Sequence, residues 1–228
     1  MQEISQQLQQ VIQRIAIACD KTGRKVDEVL LLAVSKKQSP DAIKLAYQAG
    51  QTHFGENYVQ EGLSKIEALE DLPITWHLIG ALQSNKTAEV AEHFAWVHSV
   101  DRLKIAQRLS TQRPKNLPPL NICIQVNIDD QKSKSGCQVA ELPALIEAIL
   151  SLPQLKLRGL MIIPQAGNLQ AFEQLANLRQ QLLTTIPNLS PQVFDTLSMG
   201  MSDDLEAAIA AGSTMVRVGT AIFGQRSS

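Results

Sequence analysis

The amino-acid sequence predicts a (β/α)8 TIM-like barrel with an extra N-terminal helix. Three features point to it: eight short apolar runs, segments of helical period between them, and runs that stay apolar instead of alternating with polar residues. A continuous apolar run marks a strand buried on both faces, which is what a parallel sheet covered by helices requires. An open doubly wound sheet is the competing arrangement, but no GxGxxG follows the first strand.

Ile4, Leu8, Val11, Ile12 and Ile15 recur at three- and four-residue intervals, so one apolar stripe runs along a helix within residues 1–22 that packs on the barrel. After it the period changes. VLLLAVS (29–35), THF (52–54), ITWHLIG (74–80), WVHSV (96–100), LNICIQVNI (120–128), LKLRGLMII (155–163), FDTLSM (194–199) and STMVRVG (213–219) have the length and β-branched content of strands. Segments 41–48, 59–69, 86–94, 103–109, 139–150, 169–183 and 204–211 carry the helical period between them. In the segment from Leu169, the residues Phe172, Leu175, Ala176, Leu178 and Leu182 face one way. TQRPKNLPPL (111–120) reads as an ordinary connection and IDDQKSKSG (128–136) as a flexible polar loop after the fifth strand. Neither a repeat nor a low-complexity linker divides the chain, so residues 1–228 are expected to form one domain.

Charge and cysteine content narrow the function classes. Lys plus Arg number 21 against 22 Asp plus Glu, a net charge of -1, so there is no global positive field to gather nucleic acid or an anionic membrane. Cys19, Cys123 and Cys137 are an odd set without CxxC spacing, which argues against a disulfide framework or a thiolate metal site. No basic N-terminal region precedes an apolar run and no uninterrupted apolar stretch is long enough to span a bilayer, so a cytoplasmic protein is expected.

In a barrel of this class, working residues lie at the C-terminal ends of the strands, and the loops after strands 7 and 8 often hold a phosphate. Four stretches then share one rim: Lys36 at the end of strand 1, GEN (55–57) after strand 2, SMGMSDD (198–204) after strand 7, and RVGTAIFG (217–224) at strand 8. Ser198 offers a hydroxyl, Gly200 allows close backbone approach, and Ser202 can cap a following helix, while Gly219 and Thr220 add backbone N–H groups and a second hydroxyl. Together these loops look like a phosphate cup. A rim amine, partly desolvated, exposes the lone pair that attacks an aldehyde; the plainer alternatives for Lys36 are a solvated lysine or a phosphate clamp. Lys37 is expected to face solvent, since adjacent strand residues point opposite ways. Arg217 carries a permanent charge, so beside a pyridine nitrogen it would donate a hydrogen bond and keep that nitrogen unprotonated; the alternative is a salt bridge at the strand end.

LLAVSK with Lys36, HFGENYVQE (53–61), WHLIGALQSNK (76–86), VNIDDQKSKSG (126–136), LRGLM (157–161), LSMGMSDDLEAAI (197–209) and VRVGTAIFG (216–224) together resemble the pyridoxal 5′-phosphate (PLP) homeostasis protein family, related to the N-terminal barrel of alanine racemase. The resemblance implies that Lys36 carries PLP covalently as an internal aldimine and that Ser198, Gly219 and Thr220 hold its phosphate. It also implies that Arg217 faces the pyridine nitrogen, that Asn57 lies near the ring and its 3-oxygen, and that Met199 and His77 line the pocket, although His77 reads equally as a satisfied barrel histidine. One departure touches the flank of the site, where VSKKQSP has Lys37 in place of the threonine many members carry.

A racemase needs two proton-transfer groups on opposite faces of its substrate adduct. In alanine-racemase-like enzymes the second comes from a C-terminal domain; this chain is expected to end directly after strand 8, and neither Tyr47 nor Tyr58 has an evident position as that base. The resemblance therefore implies a monomeric carrier or regulator of PLP that influences vitamin B6 pools and amino- and keto-acid balance without robust turnover. PLP and PLP-dependent client enzymes are its implied partners. Two other readings stand beside it: a PLP enzyme of low racemase-like activity, and an aldolase or isomerase that uses Lys36 as a Schiff base on a sugar phosphate.

Overall fold

The computed structural model describes residues 2–129 and 135–224. Helix α1 (Gln2–Lys21) buries Leu8, Val11, Ile15, Ala18 and Cys19 against α2 (Pro40–Gln48), α8 (Leu205–Ala210) and α9 (Thr220–Phe223). The stripe is displaced from the expected one: Ile4 is half-buried and Ile12 is exposed at its edge, because Ala18 and Cys19 continue the buried face. Arg14 on α1 pairs with Glu206 and donates to the carbonyl of Ser202 at 2.9 Å, so the N-terminal helix braces the connection that follows the seventh strand.

The strands are β1 (Leu30–Val34), β2 (His53–Glu56), β3 (Thr75–Leu78), β4 (Trp96–Val100), β5 (Leu120–Gln125), β6 (Leu155–Met161), β7 (Thr196–Ser198) and β8 (Met215–Val218). They pair in parallel and in sequence order, and β8 closes on β1 through the register Leu32↔Arg217 and Ala33↔Val218. The connecting helices α3 (Val59–Ala68), α4 (Thr87–His93), α5 (Leu103–Gln112), α6 (Leu142–Leu150) and α7 (Gln170–Thr185), with α2 and α8, cover the outside, as the expected (β/α)8 barrel requires. Ser39 starts α2 by accepting from the Ala42 N–H at 3.2 Å with Pro40 behind it, which ends the β1 turn sharply.

Differences from the sequence reading are local. Residues 139–141, expected to open α6, form a tighter turn before Pro143 sets the helix. Thr220–Phe223, expected as loop, closes into one helical turn. In α7, Phe172, Leu175 and Leu182 are buried, while Leu169, the residue before the helix, is exposed. Five residues of the polar loop after β5, 130–134, lie outside the described residues, as do those residues of the motif spanning 126–136.

Two clusters share the core. The larger lies between strands and helices, with Phe54, Phe94, Phe172 and Phe194 fully buried. The smaller, Leu32, Ile79, Trp96, Cys123, Met161 and Met215, fills the barrel interior, where His77, His98, Ser198 and Arg217 are also buried. All three cysteines are buried and unbridged. No helix among the described residues is long and apolar enough to cross a membrane.

Because Leu8 is fully buried and Ile12 is not, the two positions should respond differently to truncation. Leu8→Ala is expected to lower stability by roughly 2–5 kcal/mol and Ile12→Ala by less than about 1 kcal/mol. Urea unfolding measures both, and equal losses would contradict the placement of α1.

Candidate functional site

At the C-terminal end of the barrel lies a cavity of about 300 Å³, at the small end of the range for ligand pockets. Its polar lining comes from the turn after β1 (Lys36, Gln38), from Asn57 after β2, from Ser202 and Asp203 after β7, and from Arg217, Gly219 and Thr220 at β8. Val34, Ile79, Ile163 and Met201 supply apolar wall. Lys36, half-buried, sits two residues past the last residue of β1.

Two glycines shape the wall. Gly200 has φ +95° and a Cβ there would stand 2.5 Å from Ala208 Cβ, so only glycine lets the β7 connection turn this close to α8. Its carbonyl accepts the Arg217 N–H at 2.9 Å, which fixes that turn to β8. A Cβ on Gly219 would lie 3.1 Å from the carbonyl oxygen of Val34, so the start of α9 rests against β1.

Arg217 is buried and makes no ion pair among the described residues. Nη1 donates to the Ser198 carbonyl at 2.6 Å and to Ser198 Oγ at 2.9 Å, and Nη2 donates to the Ile162 carbonyl at 2.8 Å. A guanidinium has five N–H groups and these bonds use three, so two remain for the cavity side. Burial draws its pKa down to about 10, which still leaves a cation at neutral pH. Asn57 Oδ1 is also buried without a hydrogen-bond partner, an orphaned polar atom at the same cavity.

Behind Arg217 a hydrogen-bond chain crosses the barrel. Ser198 Oγ lies 2.8 Å from His98 Nδ1, His98 Nε2 lies 2.9 Å from His77 Nδ1, and His77 Nε2 lies 3.0 Å from His53 Nδ1. Donor counting assigns the protons. Ser198 Oγ accepts from Arg217, so its own hydrogen has His98 Nδ1 as its acceptor among the described residues; His98 and His77 then carry theirs on Nε2 and donate onward toward His53. Burial, then the charge of Arg217, holds His98 down to about 3. Burial, then the neighbouring imidazoles, puts His77 well below the ordinary range, and burial lowers His53. The His77 ring stacks on Trp96 with centroids 5.3 Å apart.

Of the residues singled out in the sequence, Lys36, Asn57, Arg217, Gly219 and Thr220 line the cavity. Ser198, Met199 and His77 are buried elsewhere: Ser198 under Arg217, His77 in the interior chain, and Met199 in the cluster between strands and helices. Ser202, read only as a cap, is a lining residue, and its Oγ accepts the Ala221 N–H at 3.5 Å. The period of two along β7 could have separated these roles, since Ser198 and Met199 must point to opposite faces. His98 carried no sequence signal beyond its place in an apolar run. No group of three or more metal-ligating side chains occurs among the described residues.

Residues 7–227 match the family model for the alanine racemase N-terminal domain. The pyridoxal phosphate homeostasis protein of Pseudomonas aeruginosa is 55% identical over 226 residues, covering 99% of this chain and 97% of that one. The protein of the same name from Escherichia coli K12 is 54% identical over 234 residues, covering 99% and 98%. Among solved structures, PipY of Synechococcus elongatus PCC7942 with PLP bound superposes with a TM-score of 0.79 at 38% identity, covering 94% of this chain and all of that one.

The interior histidines make acid stability a test of this geometry. Their folded pKa values lie below the ordinary 6.5, so on acidification the unfolded chain takes up protons that the folded barrel does not, and stability falls. For His98 that loss begins near pH 6.5 and continues toward about 3, at up to about 1.4 kcal/mol per pH unit. His98→Gln, which keeps a donor and an acceptor but does not titrate, is expected to show a shallower decline in urea-unfolding stability between neutral and mildly acidic pH. An unchanged slope would contradict a neutral buried His98.

Proposed function

The chain belongs to the pyridoxal phosphate homeostasis protein family, built on the alanine racemase N-terminal barrel, and we propose that it binds PLP as a Schiff base on Lys36 and serves in homeostasis of that cofactor without robust turnover. The observation that carries this reading is that a lysine amine and a buried guanidinium with two N–H groups to spare line one small cavity.

The lining suits the cofactor group by group. Val34, Ile79 and Ile163 offer apolar surface to an aromatic ring. Arg217 can donate to the pyridine nitrogen, which leaves that nitrogen unprotonated and the ring a weaker electron sink than a pyridinium. The orphaned amide of Asn57 suits the ring's 3-oxygen, since turning the amide presents N–H in place of Oδ1. For the phosphate we assign Ser202, Gly219 and Thr220, which meet at the start of α9. Ser198 has a different task in this account: its carbonyl and hydroxyl hold Arg217 in place, and His77 secures the chain behind it. Met199 anchors the same turn from the outer core. When bound, PLP would supply an aldehyde, and Lys36 would hold it through its amine, water being the leaving group.

A carrier is supported over a racemase by the placement of the tyrosines. Tyr47 packs against the outer core and Tyr58 is 57% exposed, and neither lines the cavity, so neither faces Lys36 as a second proton-transfer group. In this reading the protein is a cytoplasmic monomer whose partners are PLP and PLP-dependent client enzymes.

Protein incubated with PLP, reduced with borohydride and digested is expected to carry a phosphopyridoxyl group on Lys36, and the visible band of the imine should vanish on reduction. Lys36→Ala should lose both the band and the label. If wild type given excess PLP shows neither, the cofactor reading fails and a sugar-phosphate aldolase or isomerase using Lys36 takes its place.

A further inference from the structure

The turn that presents Lys36 rests on a buried ion cluster that the cofactor reading leaves unused. Lys65 on α3 is nearly inaccessible, and its Nζ donates to Glu56 Oε1 at 2.8 Å, to Glu61 Oε1 at 2.6 Å and to the carbonyl of Ser35 at 2.7 Å. Those three bonds use all three ammonium hydrogens. Ser35 Oγ donates to the same Glu56 oxygen at 2.5 Å, and Glu61 Oε1 accepts the backbone N–H of Lys37.

The cluster therefore grips the chain on both sides of Lys36. The Ser35 carbonyl belongs to the peptide plane before Lys36 and the Lys37 N–H to the plane after it, and peptide planes are rigid. Holding both leaves the Lys36 Cα little freedom in φ or ψ, so the root of its long side chain is set. A second observation agrees. Lys37 has φ +62°, in the left-handed region that a lysine adopts only where its surroundings hold it. A buried ion cluster is a poor source of stability compared with apolar packing, so its presence here asks for another purpose.

We propose that Glu56, Glu61 and Lys65 are positioning residues for Lys36: they fix the backbone of its turn so that Nζ meets the aldehyde of bound PLP. The proposal rests on the cofactor reading above. Glu61 is the informative member, because its side chain is 26% exposed and its removal leaves the buried Lys65–Glu56 pair intact.

The test uses the full chain with PLP and separates binding from attachment. Total bound PLP is measured after alkaline release, and attachment is followed by borohydride quenching at successive times with mass analysis of the Lys36 peptide. Glu61→Ala is expected to bind PLP nearly as wild type does but to label Lys36 about tenfold more slowly, the consequence of losing one charge-assisted hydrogen bond. Glu61→Gln, which keeps an acceptor for the Lys37 N–H, should recover most of the rate although it lacks the charge. Ser35→Ala, which removes only the hydroxyl tie to Glu56, should slow labelling as well and serves as the second variant if Glu61→Ala does not fold. Wild-type labelling rates in Glu61→Ala or, where it does not fold, in Ser35→Ala overturn the clamp and leave the cofactor reading intact. Absence of label on wild type overturns the cofactor reading and the clamp with it.

Discussion

A buried arginine that forms no ion pair among the described residues is the constraint around which this site is arranged. Arg217 points into the barrel from β8, and three neutral oxygens from Ser198 and Ile162 take the place of a counter-ion. Burial keeps the histidines behind it neutral, with the charge of Arg217 adding to that effect at His98, and their hydrogen bonds run in one direction, away from the guanidinium. The same charge favours an electron-rich acceptor on the open side, where two N–H groups are left. One residue thus links the interior chain, through Ser198, to the cavity.

Barrel closure brings that arginine to the lysine. β8 pairs with β1 at Leu32↔Arg217, so residues far apart in sequence reach one rim, and Gly219 lets the next turn settle against Val34. Each half of the site then has its own support. Arg217 is held from inside the barrel by Ser198, while the Lys36 turn is held from outside by side chains of β2 and α3. Helix α1 adds a third brace through Arg14 to the Ser202 carbonyl. Buried polar groups of this kind cost stability relative to apolar packing, and the large outer core absorbs that cost.

Much of this was legible in the sequence because it follows from period and position. The apolar runs gave the strands, the helical intervals gave the covering helices, and the end of each strand located Lys36, Asn57, Arg217 and Gly219. Side-chain direction within a short strand was harder. Ser198 and Ser202 both sit in SMGMSDD, and only the inward register of β7 assigns the first to Arg217 and leaves the second at the cavity. The histidine chain joins β2, β3, β4 and β7, and no local pattern announces contacts between elements that distant. Lys65 was invisible for the opposite reason: on a helix of mixed polarity it reads as a solvated lysine, yet its ammonium turns inward to Glu56.

The central claim is that Lys36 and Arg217 address opposite ends of one PLP ring. A crystal structure of the protein grown with PLP tests it most directly. The account predicts continuous density from Lys36 Nζ to the cofactor's aldehyde carbon, with the pyridine nitrogen within hydrogen-bond reach of Arg217 and Ser198 still bonded to that arginine. Cofactor density away from this cavity, or a ring whose nitrogen faces Asn57 instead, would contradict it.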